Sequence, residues 1–596
     1  MKLTARSMLL SYFLVLAVCL FPVHAEEADS PRSVMDMIPH ESLAYVSLSN
    51  LDAVFYLVTE SPEWQELLGI EEIGDQLDQA KQAISFGPML FGISVEEFLN
   101  AFGHKTALSL MGMKGAMPVA GLIADVRSHR EQAEYAVEQA ATLPAVAGSA
   151  MVEEAEYRDV PCTVVGNENL KVKYAFLDNF LIAGINGGFE KLVDLYKDGG
   201  KSIQDSSNFQ FMEQKVSLSS EICVYADLER AAPMLQMLAG MGAGEEGEED
   251  RSSAMIKQLA LKSAKAFALS LSLSGQTHEV YLHLRAEEPD PITDLALAPH
   301  SPMSAAGLVP FADGLMVGIH IGDPAGLLGR GLKVAESLGS ETAQIEHGIQ
   351  QMEGGLGLNL REDLLSTLTG EIAVMAMLPK EQLDVKKNKL QMAMQMAKMR
   401  QVVLIGVKDE ERLSETAGKL FALANLEPLS LKEYSYKGTE IYTKVVPLDI
   451  IAPGVALMPS YSFRDGLLIM SNSAEWVQDT IDMLESPRVT EIQEKLSASR
   501  VLIYLDAAGI ADFVVKQDII EDTRLPEAAQ DKLSSLGSVA ASLSLGPDGA
   551  GIKLISTSDD NWATKILRGV LVGIYANISS EQEQAEEVWE EEGEEE

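Results

Sequence analysis

Ile38-Pro39, a three-residue spacer and Leu43-Ala44-Tyr45-Val46-Ser47-Leu48-Ser49-Asn50-Leu51-Asp52 form a stretch whose opening returns 271 residues later. There it is Val309-Pro310 followed by Gly314-Leu315-Met316-Val317-Gly318-Ile319. A proline, a spacer, an apolar run and an Asp read as a strand handing over to a helix. Three further anchors repeat in the same order. Tyr174–Ile182 returns as Tyr461–Ile469, Val224-Tyr225-Ala226-Asp227 as Ile503-Tyr504-Leu505-Asp506, and Ser270–Leu273 as Ser542–Leu545. The offsets drift between 271 and 287, as insertions in loops would make them. Chance similarity of generic strands would not keep order over four anchors, so one module used twice is the expectation.

Each copy reads outward from its first strand. A helix follows, opened in the second copy by Asp323-Pro324; a second helix starts at Ser94-x-x-Glu97 or Asn359-x-x-Glu362. Strands around Thr106–Met111 and Val119–Ile123 correspond to Glu371–Met377 and Gln401–Val407. Next come a polar helix, a strand pair, a hairpin turning at Asp178-Asn179 or Asp465-Gly466, a helix, a strand ending in Asp227 or Asp506, and a closing hairpin. Runs of strands broken by single helices predict an α+β fold. The expected architecture is two tandem repeats of a mostly antiparallel sheet module with interspersed helices, plus a C-terminal helix. The expected boundaries are modules at 36–286 and 306–557, a Pro-rich linker at 287–305, a helix at 558–580 and an acidic disordered tail at 581–596.

Residues 1–25 read as a signal peptide. Lys2 and Arg6 precede the apolar run Met8–Phe21, and Val23-His24-Ala25 fits cleavage between Ala25 and Glu26. Lipidation at Cys19 is the weaker reading, because Val18 stands where a small residue is wanted. The fourteen-residue run Met8–Phe21, interrupted by Ser11 and Cys19, is short of a membrane span, so no transmembrane segment is expected after cleavage. The chain is thus expected to be periplasmic or secreted.

Across 596 residues, 89 acidic side chains face 46 basic ones, a net charge of −43. That balance opposes nucleic-acid binding, which needs clustered Lys and Arg. An apolar share of 47% supports real cores. Past residue 25 the cysteines are Cys162 and Cys223, aligned with Ile441 and Leu502 of the other copy. They read as packed thiols, or as a disulfide across neighbouring strands.

Motifs with chemistry are sparse. Gly242-x-Gly244-x-x-Gly247 is flanked by Glu245, Glu246, Glu248, Glu249 and Asp250, which would repel a pyrophosphate. Gly199-Gly200-Lys201-Ser202 follows a helix, where a phosphate-binding loop would precede one. Asp52, Asp227, Asp323 and Asp506 read as helix caps before they read as acid–base groups. No zinc-protease histidine spacing and no Gly-x-Ser-x-Gly elbow occurs. Met392, Met394, Met396 and Met399 lie among Lys and Arg; soft thioethers could hold Cu(I), and an amphipathic arm explains the same residues. Trp562, Ile566, Val570 and Ile574 line one face of the C-terminal helix, expected to pack on the second module, with self-association as the other reading.

These anchors resemble a family of exported bacterial proteins, the domain-of-unknown-function 3352 family. The resemblance rests on Leu43–Asp52, Gly370-Glu371-Ile372-Ala373, Tyr436-Lys437-Gly438, the hairpin Tyr461–Ile469 and Tyr504-Leu505-Asp506. The first copy departs, with His104-Lys105 for Gly-Glu and Arg158-Asp159 for Lys-Gly. The resemblance implies secretion and transfers no catalytic residue. The expected function is a non-catalytic binding or scaffold protein of the envelope, with no cofactor, meeting another protein or a small ligand. The rivals are a hydrolase with its site in an inter-module cleft and an extracytoplasmic Ca²⁺ or copper binder.

Overall fold

The structure, a computed structural model, describes residues 33–70, 93–115, 117–146, 150–167, 170–234, 264–284, 301–311, 314–337, 342–377, 400–423, 432–443, 446–447, 456–457, 459–485, 496, 499–510, 527–546, 548–556 and 560–572. The segment 1–25 read as a signal peptide, with the expected cleavage at Ala25 and Glu26, the acidic segment 242–250, the four methionines 392–399 and the acidic segment 581–596 lie outside these residues. The chain divides into two compact units. One comprises Met1–Arg285 with Asn561–Leu567, the other Ala286–Asp560 with Arg568–Glu596.

The first unit carries strands β1 (Ala44–Ser49), β2 (Lys105–Lys114), β3 (Met117–Asp125), β4 (Met151–Tyr157), β5 (Val160–Gly166), β6 (Lys171–Leu177), β7 (Phe180–Ile185), β8 (Ile222–Asp227), β9 (Ala264–Leu271) and β10 (Thr277–Leu284). All pairings are antiparallel, in the spatial order β4-β5-β6-β7-β3-β2-β1-β8-β9-β10. Helices α1 (Leu51–Thr59), α2 (Pro62–Leu68), α3 (Val95–Phe102), α4 (Arg130–Val146), α5 (Gly188–Asp198) and α6 (Ser207–Glu213) punctuate them.

Alternation in the strands sets two faces. Tyr45, Ile123, Ile182 and Tyr225 point into the main core, where α5 and α6 supply Phe189, Leu192, Phe209 and Met212. Gly188 lets α5 start directly on the sheet, since a Cβ there would lie 2.0 Å from the Ala120 carbonyl. On the other face α3 and α4 bring Phe98, Phe102, Ala133 and Ala136 onto Leu122 and Leu181. The box read at Ser94-x-x-Glu97 opens α3, with Glu97 N–H donating to Ser94 Oγ at 3.0 Å and Ser94 N–H to Glu97 Oε2 at 2.8 Å.

The second unit carries β11 (Gly314–His320), β12 (Leu368–Met377), β13 (Arg400–Val407), β14 (Lys432–Tyr436), β15 (Thr439–Thr443), the short pair β16 (Val446–Pro447) and β17 (Ala456–Leu457), β18 (Ser460–Arg464), β19 (Leu467–Ser471), β20 (Val501–Asp506), β21 (Ser538–Gly546) and β22 (Gly549–Ser556). Its sheet order is β14-β15-β18-β19-β13-β12-β11-β20-β21-β22, again all antiparallel. The two orders coincide strand for strand. Helices α7 (Pro324–Ser337), α8 (Thr342–Leu356), α9 (Glu410–Leu423), α10 (Ala474–Leu484) and α11 (Glu527–Ser534) complete it, and α10 buries Val477 and Ile481 against Met316, Leu404 and Ile469.

Three details depart from the sequence reading. Asn359 accepts from Glu362 N–H at 2.9 Å, yet opens a π-turn over Leu360–Leu364 in place of an α-helix. The Asp465-Gly466 turn has two positive φ values, as a type I′ turn needs, whereas in Asp178-Asn179 only Asp178 does. Residues 562–572 are helical, but the helix begins on the first unit rather than the second. Asn561 Oδ1 accepts from Thr564 N–H, and the Trp562 ring stands 4.5 Å from that of His278.

Candidate functional site

Polar side chains concentrate in each unit, and their partners decide what they can do. In the first unit Ser47, Cys223 and Ser270 face one another across β1, β8 and β9, with Glu279 opposite Ser270. They hold the turn that precedes β8. Ser270 Oγ donates to the Ser217 carbonyl at 2.7 Å, Ser49 Oγ to the Ser220 carbonyl at 2.9 Å, and Glu279 Oε2 accepts from Ser217 N–H at 2.8 Å. The Cys223 thiol points at the carbonyls of Ser220 and Ser217, at 3.5 and 3.8 Å. Burial pushes this thiol above its ordinary range, so at neutral pH it is not the thiolate a nucleophile requires. Burial likewise holds the nearby Lys105 ammonium below its usual value.

The disulfide reading of Cys162 and Cys223 is corrected here. Both thiols are free and buried. They sit on β5 and β8, and β6, β7, β3, β2 and β1 intervene. At about 4.8 Å per strand step, neighbouring-strand geometry is lost. Each packs where the other unit has an apolar side chain, Ile441 on β15 and Leu502 on β20, both fully buried.

The second unit holds a Ser–His pair that motif spacing did not reveal. His320, 0% exposed at the end of β11, has Nε2 2.9 Å from Ser301 Oγ. Its Nδ1 accepts a hydrogen bond from Gly322 N–H at 3.0 Å. A backbone N–H can only donate, so the ring proton sits on Nε2 and faces Ser301. That is the reverse of the arrangement in which a histidine takes a serine's proton. Glu371, cross-strand from His320, accepts from Ser304 N–H at 3.0 Å and Ala305 N–H at 2.6 Å. Burial pushes its pKa above the usual carboxylate range, and those two N–H groups oppose the rise. The carboxylate therefore caps the 3₁₀ turn Ser304–Phe311 that leads into β11.

The remaining sequence candidates resolve locally. Asp227 Oδ1 accepts from Arg230 N–H, Asp323 Oδ2 from Gly326 N–H and Asp506 Oδ1 from Gly509 N–H, at 3.0, 3.1 and 3.0 Å. These are capping bonds. Asp52 lies inside α1, whose cap position is Asn50. Gly199, at φ +70, ends α5, and Ser202 caps the turn Ile203–Asp205. Tyr157 and Arg158 of the β4–β5 turn clasp Asp194 and Asp198 of α5. Tyr436 and Lys437 of the β14–β15 turn clasp Asp482 of α10 and Glu485 at its C-terminal cap in the same manner. Among the described residues no group of three or more His, Cys, Asp or Glu could hold a metal ion, and no helix is long and apolar enough to cross a membrane.

What stands out is a surface without polar chemistry. On the face of the second sheet opposite its core, one row crosses six strands as Val403–Val374–Val317–Ile503–Ala541–Leu554. The adjacent row is Ile405–Ile372–Ile319–Val501–Leu543–Ile552. No residue in either row is charged or buried. Val374 and Ile503 are 45% exposed and Ile319 44%. Cross-strand neighbours take the rest of each side chain, so such values mean an uncovered face. The first unit has a matching row, Leu122–Leu108–Val46–Val224–Leu269–Val280. There α3 and α4 bury Leu122, and Val46, at 36%, is the row's most exposed side chain of the large apolar type. In the second unit α7 approaches β12 and α9 buries Leu413 and Thr416, yet Ile319, Ile372, Val374 and Ile503 keep 43–45% exposure. Contiguous apolar patches of this size mark contact surfaces on soluble proteins.

No family model matches the sequence, no curated protein matches it, and no solved structure matches the fold.

Proposed function

We propose that the chain is an exported, non-catalytic binding protein built from two copies of one α+β module, with the outer sheet face of the second unit as its contact surface. The uncharged double row on β13, β12, β11, β20, β21 and β22 carries this reading. A chain in which 23% of residues are charged has no reason to leave twelve adjoining outward positions apolar unless something covers them. Three observations support the non-catalytic side. The serine-rich seam is spent on holding a turn, the Ser301–His320 pair has its proton on the wrong nitrogen, and the paired aspartates cap helices. Duplication accounts for the coinciding strand orders and for the twin clasps. Export rests on the signal-like segment 1–25, which the family resemblance supports.

The test is site-specific photo-crosslinking in bacterial cells exporting the chain. A benzophenone amino acid at Ile319 is expected to give a covalent adduct, and the same group at Glu415, exposed on α9, is expected to give none. Absence of any adduct at Ile319 would refute a contact role for this face.

A further inference from the structure

We infer that the partner on this face is a second copy of the chain, the two outer sheet faces packing in a symmetric dimer. The inference rests on reading the face as a contact surface and adds the identity of what covers it. Three features of the molecule point to self-pairing.

The first is area. Five of the twelve side chains are 43–51% exposed and the other seven are half-buried, leaving roughly 700 Å² of apolar surface per copy, close to one side of a standard protein–protein interface. It is larger than a small ligand covers.

The second is charge. Each copy carries −43, so two copies repel wherever acidic surfaces approach. They meet at least Coulombic cost where neither has a charge, and the double row is such a place. A basic partner attracted by the acidic surface would find no carboxylate here to pair with.

The third is shape. Val374, Val317 and Ile503 stand on adjacent central strands, and β-branched side chains form ridges of even height. Two identical ridged sheets can interdigitate about 10 Å apart at a small angle, as in a sandwich. A two-fold axis through the patch makes it self-complementary.

Sedimentation velocity on residues 26–596 tests this. The wild-type chain is expected to sediment as a dimer at micromolar concentration, with association strengthening as salt rises, because screening weakens the repulsion and nothing ionic holds the interface. Val374→Glu with Ile503→Glu is expected to weaken dimerisation at least 100-fold, about 2.8 kcal/mol. Val374→Thr with Ile503→Thr keeps β-branched shape and tolerates folding better; it is expected to weaken the dimer at least tenfold with far-UV circular dichroism unchanged. A wild-type chain monomeric up to about 100 µM, roughly −5.5 kcal/mol, overturns the inference. So does a dimer indifferent to the Thr pair. The Ile319 adduct separates the two levels. A mass of twice the chain supports the second copy. An adduct with another protein overturns self-pairing and leaves the contact surface standing, whereas no adduct with a monomeric chain removes both.

Discussion

Asp159 holds φ +59 beside Arg158 at +51, while the matching turn of the second unit uses Lys437 at +48 and Gly438 at +75. A side chain in the left-handed region costs roughly 1–2 kcal/mol that glycine avoids, less what glycine loses in unfolded-chain entropy. Asp159→Gly is therefore expected to stabilise the first unit by about 0.5–1 kcal/mol in urea unfolding. A loss of stability would mean that the Asp159 side chain makes a contact worth more than the turn strain. At His278, burial lowers the imidazole below its usual 6.5, and Glu221 acts in the other direction. A depressed folded value means the folded state binds fewer protons, so this contribution is present above 6.5 and lost as pH falls through the folded value. The unfolding midpoint of the wild type is expected to fall relative to that of His278→Gln as pH drops below 6.5, and their difference to stay constant above it. Parallel curves would show that His278 is not coupled to folding. Ser301 gives a chemical check: a fluorophosphonate is expected to leave it unlabelled, since His320 offers it a proton instead of removing one.

At the scale of elements, strand order explains why the cysteines stay apart. With five strands between β5 and β8, a chain of residues 26–596 is expected to show no thiol reactive to a disulfide reagent when native, and two after unfolding without reductant. Finding none after unfolding would restore the disulfide. Glu371 ties the turn Ser304–Phe311 to β12, and Glu371→Ala would strip the Ser304 and Ala305 N–H groups of their acceptor, costing about 1–3 kcal/mol in chemical denaturation. Glu371→Gln should recover part of that; equal losses would assign the effect to packing. These cases mark what a sequence can disclose. The hairpins, caps and strand ends at Ser94, Asp227, Asp323 and Asp506 depend on neighbours three residues away, and they were legible. Strand order depends on pairing between residues nearly two hundred positions apart, such as Ala44 with Ala226 and Leu315 with Leu505, which no local period encodes, and so the two cysteines read as neighbours. The apolar face had a signal. Val501-Leu502-Ile503-Tyr504-Leu505 and Leu315-Met316-Val317 do not alternate with polar residues, as strands covered on both sides do not. Those runs read as repeat anchors, and their second apolar side went unused. The Ser301–His320 pair had none, because a linker residue and a strand end meet only in three dimensions.

For the whole molecule the governing quantity is charge. Ten of the acidic residues lie in 581–596, which contains no basic residue, so removing that segment leaves −33. Most of the imbalance therefore belongs to the rest of the chain, where the described cations are largely drawn into clasps and caps, as Arg158 is by Asp194 and Asp198 and Lys437 by Asp482 and Glu485. Those exposed pairs contribute little each and are themselves weakened by salt. Diffuse repulsion among the unpaired carboxylates acts over longer distances, and salt weakens it too, with the opposite sign for stability. With so large an excess of one sign, relief of repulsion should win, and the melting temperature is expected to rise as sodium chloride increases. The distribution of charge then makes a sharper demand. A chain ending at residue 580 should keep most of that salt response, since about three quarters of the charge remains. Thermal unfolding of the two chains across a salt series checks it: a response that vanishes with the segment would locate the repulsion in the terminal glutamates, whereas one that survives places it on the acidic surface that the apolar face interrupts.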